Sequence, residues 1–281
     1  MKPAPFVYHA PATLAEALEL LAAQPNARAL AGGQSLMPML NFRLASPDHL
    51  IDLNRIAALS YIREEQEGIV IGAMTRQRDI ETNALVAQRL PLLAEAIRHV
   101  GHRQTRNRGT LGGSLAHLDP VAELPSVAMA FDADVEVQSA RGSRNLRMSD
   151  FARGMLTTAL AADELITQVR FRPWPEGHGH AFVEFARRHG DFAVASAAAL
   201  VQVVNGKVAR VSLTLGGVAA MPVRVVQAEA ILRGANADRI AEAASHCAHI
   251  EALEDPVYPA WYRLKLAVTL ARRALEKAMT R

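Results

Sequence analysis

Apolar positions along the chain change period several times, and the changes mark its elements. Thr13 and Glu16 form a capping box, and Leu14, Ala17, Leu18 and Leu21 follow at helical spacing, predicting a helix that ends near Pro25. Ala27 to Ala31 reads as a short buried strand. It runs into Gly32-Gly33-Gln34-Ser35-Leu36, and Pro38 blocks continuation of the strand. His49 to Leu53 predicts another strand, and Leu59 to Ile62 with Ile69 to Ala73 a β pair across an acidic turn. Leu92 to Val100 predicts a helix stopped at Gly101. Asp134 to Gln138 and Asn145 to Met148 form a predicted hairpin around Arg141-Gly142, and Glu164 to Phe171 a further strand. Asn205-Gly206 lies between Ala197 to Val204 and Lys207 to Leu215, a strong hairpin signal because both turn residues tolerate positive φ. The stripe Trp261, Leu264, Val268, Ala271 and Leu275 predicts a helix over Ala260 to Met279.

One stretch fits neither period. Arg106 to Pro125 (RNRGTLGGSLAHLDPVAELP) mixes glycines, prolines, hydroxyls, acids and an imidazole, which predicts a long functional loop held between apolar segments. The proline and glycines of Trp174 to Gly179 place a domain boundary there. The expected class is α+β, with no regular βαβ repeat and no internal repeat period. The expected units are residues 1–176, subdivided at about residue 56, and residues 177–281.

Composition narrows the chemistry. A chain of 281 residues holds more than one small core. The net charge of +3 is small and its basic residues are scattered, so a nucleic-acid partner is not expected. The nearest cluster, Arg103, Arg106 and Arg108, suits either an anionic cofactor or a docked partner. Cys247 is the one cysteine, so an intrachain disulfide is impossible and an iron–sulfur cluster, which takes about four thiolates, is not expected. The ten histidines show no zinc spacing, and His178-Gly179-His180 reads as a polar turn, so no metal is expected. The first ten residues do not read as a signal peptide, and no apolar run approaches about 18 residues; neither a leader nor a membrane span is expected, and the expected address is the cytoplasm.

The remaining signals are two glycine loops roughly 75 residues apart, Gly32-Gly33-Gln34-Ser35 and Gly109-Thr110-Leu111-Gly112-Gly113-Ser114. Glycines let backbone amides approach a ligand and adopt positive φ, and consecutive amides form an anion-binding concavity. Two such loops, each with hydroxyls, suit opposite sides of one pyrophosphate. Neither is a Rossmann fingerprint or a Walker loop. Gly216-Gly217, a third pair, lacks polar company and reads as a bend or bulge. Ser114, His117 and Asp119 fall within six residues without a nucleophile elbow, and are not read as a hydrolytic triad.

Ala31-Gly32-Gly33-Gln34-Ser35-Leu36, taken with Arg106-Asn107-Arg108-Gly109-Thr110-Leu111-Gly112-Gly113-Ser114 and the trailing His117-x-Asp119-Pro120-x-x-Glu123, resembles the medium subunit of the molybdenum hydroxylases. The resemblance covers nearly the whole chain. It implies a vanillyl-alcohol-oxidase (PCMH)-type FAD-binding fold in two α+β subdomains, followed by a small C-terminal sheet-plus-helices domain. It also implies roles. Ala31, Gly32, Gly33, Gln34, Ser35 and Leu36 wrap the FAD pyrophosphate, while Thr110, Leu111, Gly112, Gly113 and Ser114 take its other side. Asp119 adds a ligand contact to its turn role, Glu123 binds the adenosine end, Ile166 packs on the flavin side, and Asp191 lies close to the isoalloxazine ring. The implied function is an electron-transfer subunit: FAD takes electrons from [2Fe–2S] clusters on a small subunit, a large subunit holds the molybdenum cofactor, and the assembly is a dimer of heterotrimers.

Two departures matter. Relatives that attach FAD covalently use a histidine where this chain has Gln34, so dissociable FAD is expected. Relatives with a lysine near the flavin differ from the Val183 and Glu184 that precede Arg187-Arg188 here. The competing expectations are a stand-alone FAD-dependent reductase of the same fold and a non-catalytic assembly subunit.

Overall fold

The computed structural model describes residues 2–280. Strand β1 (Val7–His9) leads to helix α1 (Leu14–Ala23), which starts where the sequence places it: the Thr13 hydroxyl accepts the Glu16 amide at 3.2 Å. The return arm of the box falls one residue earlier than expected, with the Glu16 carboxylate accepting the Ala12 amide at 2.9 Å. After β2 (Ala27–Leu30), a short helix α2 (Leu36–Asn41) and β3 (His49–Asp52), the strands form a parallel sheet in the order β1-β3-β2. Ala17, Leu18 and Leu21 of α1 pack on this sheet with Ile51, Leu53 and Ile56.

The second unit is built on an antiparallel sheet. Its first hairpin is β4 (Ile62–Glu65) and β5 (Gly68–Gly72). The expected first strand lies three residues too early, because Ala57–Leu59 is a 3-10 turn. Helices α3 (Gln77–Thr82), α4 (Ala84–Arg89) and α5 (Pro91–Ala96) follow. The last is shorter than the predicted Leu92 to Val100, and the chain reaches Gly101 (φ +45°) through turns.

The stretch expected as a loop is instead helical. It takes in the end of α6 (Arg103–Arg108), the whole of α7 (Leu111–His117) and the first residues of α8 (Glu123–Phe131). None of the three exceeds nine residues, which is too short for a period to show against glycines and prolines. Their boundaries are local chemistry: Thr110 caps α7, and Leu118 (φ +48°) and Asp132 (φ +52°) end α7 and α8 in the left-handed region.

Strands β6 (Asp134–Ser139) and β7 (Gly142–Arg147) form the predicted hairpin, although Met148 already opens helix α9 (Met148–Phe151). A small ribbon, β8 (Ala152–Gly154) with β9 (Thr157–Thr158), leads to β10 (Leu165–Phe171), and the sheet order is β4-β5-β10-β6-β7. Strand β5 is buried throughout, with Ile69 and Ile71 in the core that the helices of this unit cover.

Beyond residue 178, β11 (Gly179–Phe185), β12 (Ala195–Val204), β13 (Lys207–Gly216) and β14 (Val223–Arg224) form an antiparallel sheet in that order. Asn205 (φ +52°) and Gly206 (φ +74°) make the expected primed turn between β12 and β13. Helices α10 (Val226–Leu232), α11 (Ile240–Ser245) and α12 (Ala260–Met279) cover one face. The buried stripe of α12 is Ala267, Leu270, Ala271, Ala274, Leu275 and Ala278, with Arg263 at its head; Trp261, expected on that stripe, is 60 % exposed. Phe182, Ala198 and Leu200 point to the opposite face and join the core of the five-stranded sheet.

Candidate flavin-binding site

The two glycine loops meet. A Cβ added to Gly32 would sit 2.3 Å from the Arg108 carbonyl oxygen and 2.8 Å from Gly109 Cα, so only glycine permits this approach. A Cβ on Gly113 would lie 3.3 Å from Ala31 Cβ and 2.8 Å from the Thr110 hydroxyl. A chain of side chains joins the loops from behind. Arg76 donates through Nη1 to the Arg108 carbonyl (2.6 Å) and through Nη2 to Asn54 Oδ1 (2.5 Å). Asn54 Nδ2 in turn donates to the Ala31 carbonyl at 2.9 Å. Asp52 holds Asn54 by accepting its backbone amide at 2.9 Å, and Tyr8 donates its hydroxyl to the same carboxylate. Burial, with the nearby charge of Arg108, lowers the Arg76 pKa from its ordinary value, which leaves it a cation at any physiological pH.

The loops differ in what they offer. In the first, the amides of Gly32, Gly33, Gln34 and Ser35 donate to no protein acceptor among the described residues. Gly33 is held at φ +75°, and the Ser35 hydroxyl makes no capping bond. In the second, every amide from Leu111 to Ser114 is engaged: Leu111 to Thr75 O (3.2 Å), Gly112 to Ala73 O (2.8 Å), Gly113 to the Thr110 hydroxyl (3.0 Å) and Ser114 to Thr110 O (3.2 Å). The expectation of two amide-lined nests is thus corrected. The first loop is a nest; the second offers hydroxyl protons, from Thr110 and Ser114, on a helix start fixed against β5 and α3.

A concavity of about 440 Å³ opens beside the first loop, lined by Leu30, Gly32, Gly33, Gln34, Met37, Pro38 and Arg108. Free amides, a guanidinium and apolar walls form a donor set suited to a diphosphate with an attached nucleoside. These residues fit FAD: Gly32 to Ser35 and Arg108 would hold its pyrophosphate, with Thr110 and Ser114 facing them.

The other expected residues lie outside this lining. The Asp119 carboxylate accepts the Val121 amide at 3.1 Å, the turn role anticipated for it. Glu123 begins α8, buried, its pKa pushed up to about 7 by desolvation, with the charge of Glu184 adding to the effect. Glu184 lies on β11 and accepts from His99 Nδ1 at 3.1 Å, a bond that raises the His99 pKa. Ile166 is buried on β10, paired across the strands with Val137 and next to a bulge. Asp191 follows Gly190 (φ +87°), whose α-carbon packs on the His102 ring at the start of α6, and it ion-pairs with Arg188 at 3.3 Å. Of the arginine cluster, Arg103 and Arg108 are exposed. Arg106 is buried on Glu81 and on the Val100 and Gly101 carbonyls, so it belongs to the scaffold and not to a docking face.

Residues that sequence reasoning missed are Asn54, Arg76 and Gln77. The Gln77 amide donates to the Gly109 carbonyl at 2.8 Å, and its side chain fills the space a Gly109 Cβ would need. Their only signal is polarity just after a buried strand, which nothing ties to either glycine loop.

Fold and site together define a flavin-binding oxidoreductase component. Residues 4–174 match the model of the FAD binding domain in molybdopterin dehydrogenase, and residues 180–278 that of the CO dehydrogenase flavoprotein C-terminal domain. The chain is 40% identical over its full length, and over 97% of the relative's, to the 6-hydroxypseudooxynicotine dehydrogenase complex subunit alpha of Paenarthrobacter nicotinovorans. It is 37% identical to the carbon monoxide dehydrogenase medium chain of Afipia carboxidovorans, covering all of this chain and 99% of that one. Among solved structures, carbon monoxide dehydrogenase from Hydrogenophaga pseudoflava superposes with a TM-score of 0.97 at 38% identity, covering 100% of this chain and 99% of that one. The chain belongs to the FAD-binding medium subunits of the molybdenum hydroxylase family, and is an FAD-dependent oxidoreductase subunit of the α+β, PCMH-type fold.

Proposed function

We propose that this chain carries electrons within a heteromeric molybdenum hydroxylase, receiving them from [2Fe–2S] clusters on a small subunit and passing them to an external acceptor. When bound, FAD supplies the redox chemistry, exchanging electrons one or two at a time. The protein holds and orients it: Gly32 to Ser35 and Arg108 at the pyrophosphate, Thr110 to Ser114 opposite, Asp119 and Glu123 toward the adenosine end, Ile166 and Asp191 toward the ring. The FAD is dissociable, since Gln34 offers no covalent attachment. Residues 1–176 form the cofactor domain and 177–281 the C-terminal domain, and the partners assemble as a dimer of heterotrimers around a large molybdenum-cofactor subunit.

The observation that carries this reading is the contact of Gly32 with Arg108 and Gly109, which brings the unengaged amides of Gly32, Gly33 and Gln34 and the basic residue Arg108 to one concavity. The test is FAD titration of the full-length chain, wild type and Gly33→Val, followed by the visible flavin band. Wild type should bind. Gly33→Val places a branched side chain at φ +75°, facing the concavity, and should lose FAD while keeping its far-UV spectrum. Full occupancy in the variant would refute the pyrophosphate placement. Reduction of the FAD-loaded chain by NADH without partners would favour a stand-alone reductase.

A further inference from the structure

A buried arginine at the head of α12 ties together two segments that flank the flavin site. Arg263 is 6 % exposed. Arginine is almost never buried unless it is paired. Its Nη1 donates to the Val194 carbonyl (2.6 Å) and to the Gly217 carbonyl (2.7 Å), its Nη2 pairs with the Asp255 carboxylate, its Nε finds no partner among the described residues, and its Cζ lies 5.7 Å from the Tyr258 ring centroid. Both carbonyls are ends of longer connections. Val194 closes the loop that carries Asp191, its amide donating back to Phe185 O at 2.7 Å. Gly217 donates its amide to the Pro120 carbonyl at 2.7 Å, directly behind Asp119 and ahead of Glu123. Gly217 is held at φ +71° so tightly against Val194 that an added Cβ would lie 2.7 Å from the Val194 oxygen. One guanidinium thus spans the Asp191 loop and, through Gly217, the Asp119-Pro120 turn.

We propose that Arg263 is a positioning residue for the cofactor: it fixes the spacing between the 190–194 loop and the 119–123 turn, and through them the seat of the FAD. This rests on the FAD placement given above. Asp255 is the guanidinium's own anchor, since its other oxygen accepts the Val257 and Tyr258 amides, both at 2.8 Å.

The test is hydrogen–deuterium exchange on the full-length chain, with and without FAD, for wild type, Arg263→Met, Arg263→Lys and Asp255→Asn. In Arg263→Met without FAD, the Val194 and Gly217 amides should exchange faster together, on the order of tenfold, and FAD affinity should fall by a similar factor. The visible circular dichroism of the bound flavin should change shape. Arg263→Lys, which keeps a charged donor but not the fork, should restore part of all three effects. Asp255→Asn should speed exchange mainly at residues 255–259. Faster exchange confined to 255–263 in Arg263→Met, or unchanged FAD affinity and dichroism, would overturn the proposal. If Arg263→Met does not fold, a lysine variant identical to wild type in all three readouts would overturn it. Failure of the FAD placement itself has a different mark: wild type would gain no protection at 119–123 or 189–193 on adding FAD, whatever Arg263 does.

Discussion

Removing the Arg76 guanidinium tests whether the two glycine loops are held by their backbones alone. Arg76→Met keeps most of the aliphatic stem and deletes two hydrogen bonds, one to the Arg108 carbonyl and one to Asn54. Bonds from a charged donor are worth about 1.5–3 kcal/mol each, and Arg76 is only half-buried, so the lower figure applies. Some relief comes from removing its repulsion with Arg108. The net loss should be about 2 kcal/mol. If that loss falls on the register between the loops, FAD affinity should drop by roughly 30-fold, at about 1.4 kcal/mol per tenfold. Fluorescence titration of FAD and urea unfolding of the apoprotein separate the two consequences. Asn54→Leu cuts the same chain one link further on, and the double variant should be less destabilised than the two losses added, because residues in one network are coupled by about 0.5–3 kcal/mol. FAD affinity within twofold of wild type in Arg76→Met, beside a clear loss of stability, would refute the reasoning and leave the direct packing of Gly32 on Arg108 and of Gly113 on Ala31 to hold the loops.

Three further outcomes follow from the same geometry. Gly112→Ala would place its Cβ 2.6 Å from Ala73 Cβ and 2.9 Å from Ala73 O, and overpacking of this kind should cost about 1–3 kcal/mol in urea unfolding, whether FAD is present or not. Glu123 and His99 both bind their protons more tightly in the folded chain. The Glu123 contribution is complete below pH 4.5 and is lost as pH rises toward about 7, amounting to roughly 3 kcal/mol; that of His99 is complete below 6.5 and is lost as pH rises through its higher folded value. Apoprotein stability should therefore fall between pH 5 and 8, offset in part by His178, whose pKa burial lowers and which acts in the opposite sense, and Glu123→Gln should flatten most of that fall; a wild-type urea midpoint that rises with pH would contradict this. Cys247 is buried and its thiol pKa is pushed up to about 12 by desolvation, so a thiol reagent at neutral pH should modify only unfolded protein.

Elements with local signals were legible in the sequence. Thr13 at the start of α1, Asn205-Gly206 and the extent of α12 each carry their own instruction and appear where they were expected, although the buried face of α12 is turned so that Trp261 is exposed. The stretch from Arg106 to Pro125 was not legible, because helices of six to nine residues, with glycines inside α7 and a proline inside α8, have no period to read. The meeting of the glycine loops was legible only through paired motifs. The division of labour between them was not: whether an amide is free depends on where Ala73 and Thr75 O lie, and those oxygens belong to the turn after β5, distant in sequence. Asn54, Arg76 and Arg263 were invisible for the same reason, since what each ties down is a backbone carbonyl, which every residue has.

The seam between the two matched segments near residue 177 is a boundary in sequence without being one in cohesion. Phe182, Ala198 and Leu200 belong to the same oily interior as Leu92, Val127 and Trp174, and His99 reaches across the seam to Glu184 at 3.1 Å. A fragment cut there would carry an open wound of apolar surface on each half. Exchanging C-terminal segments between relatives therefore requires grafting the facing residues of both sheets, not merely joining two stretches of chain.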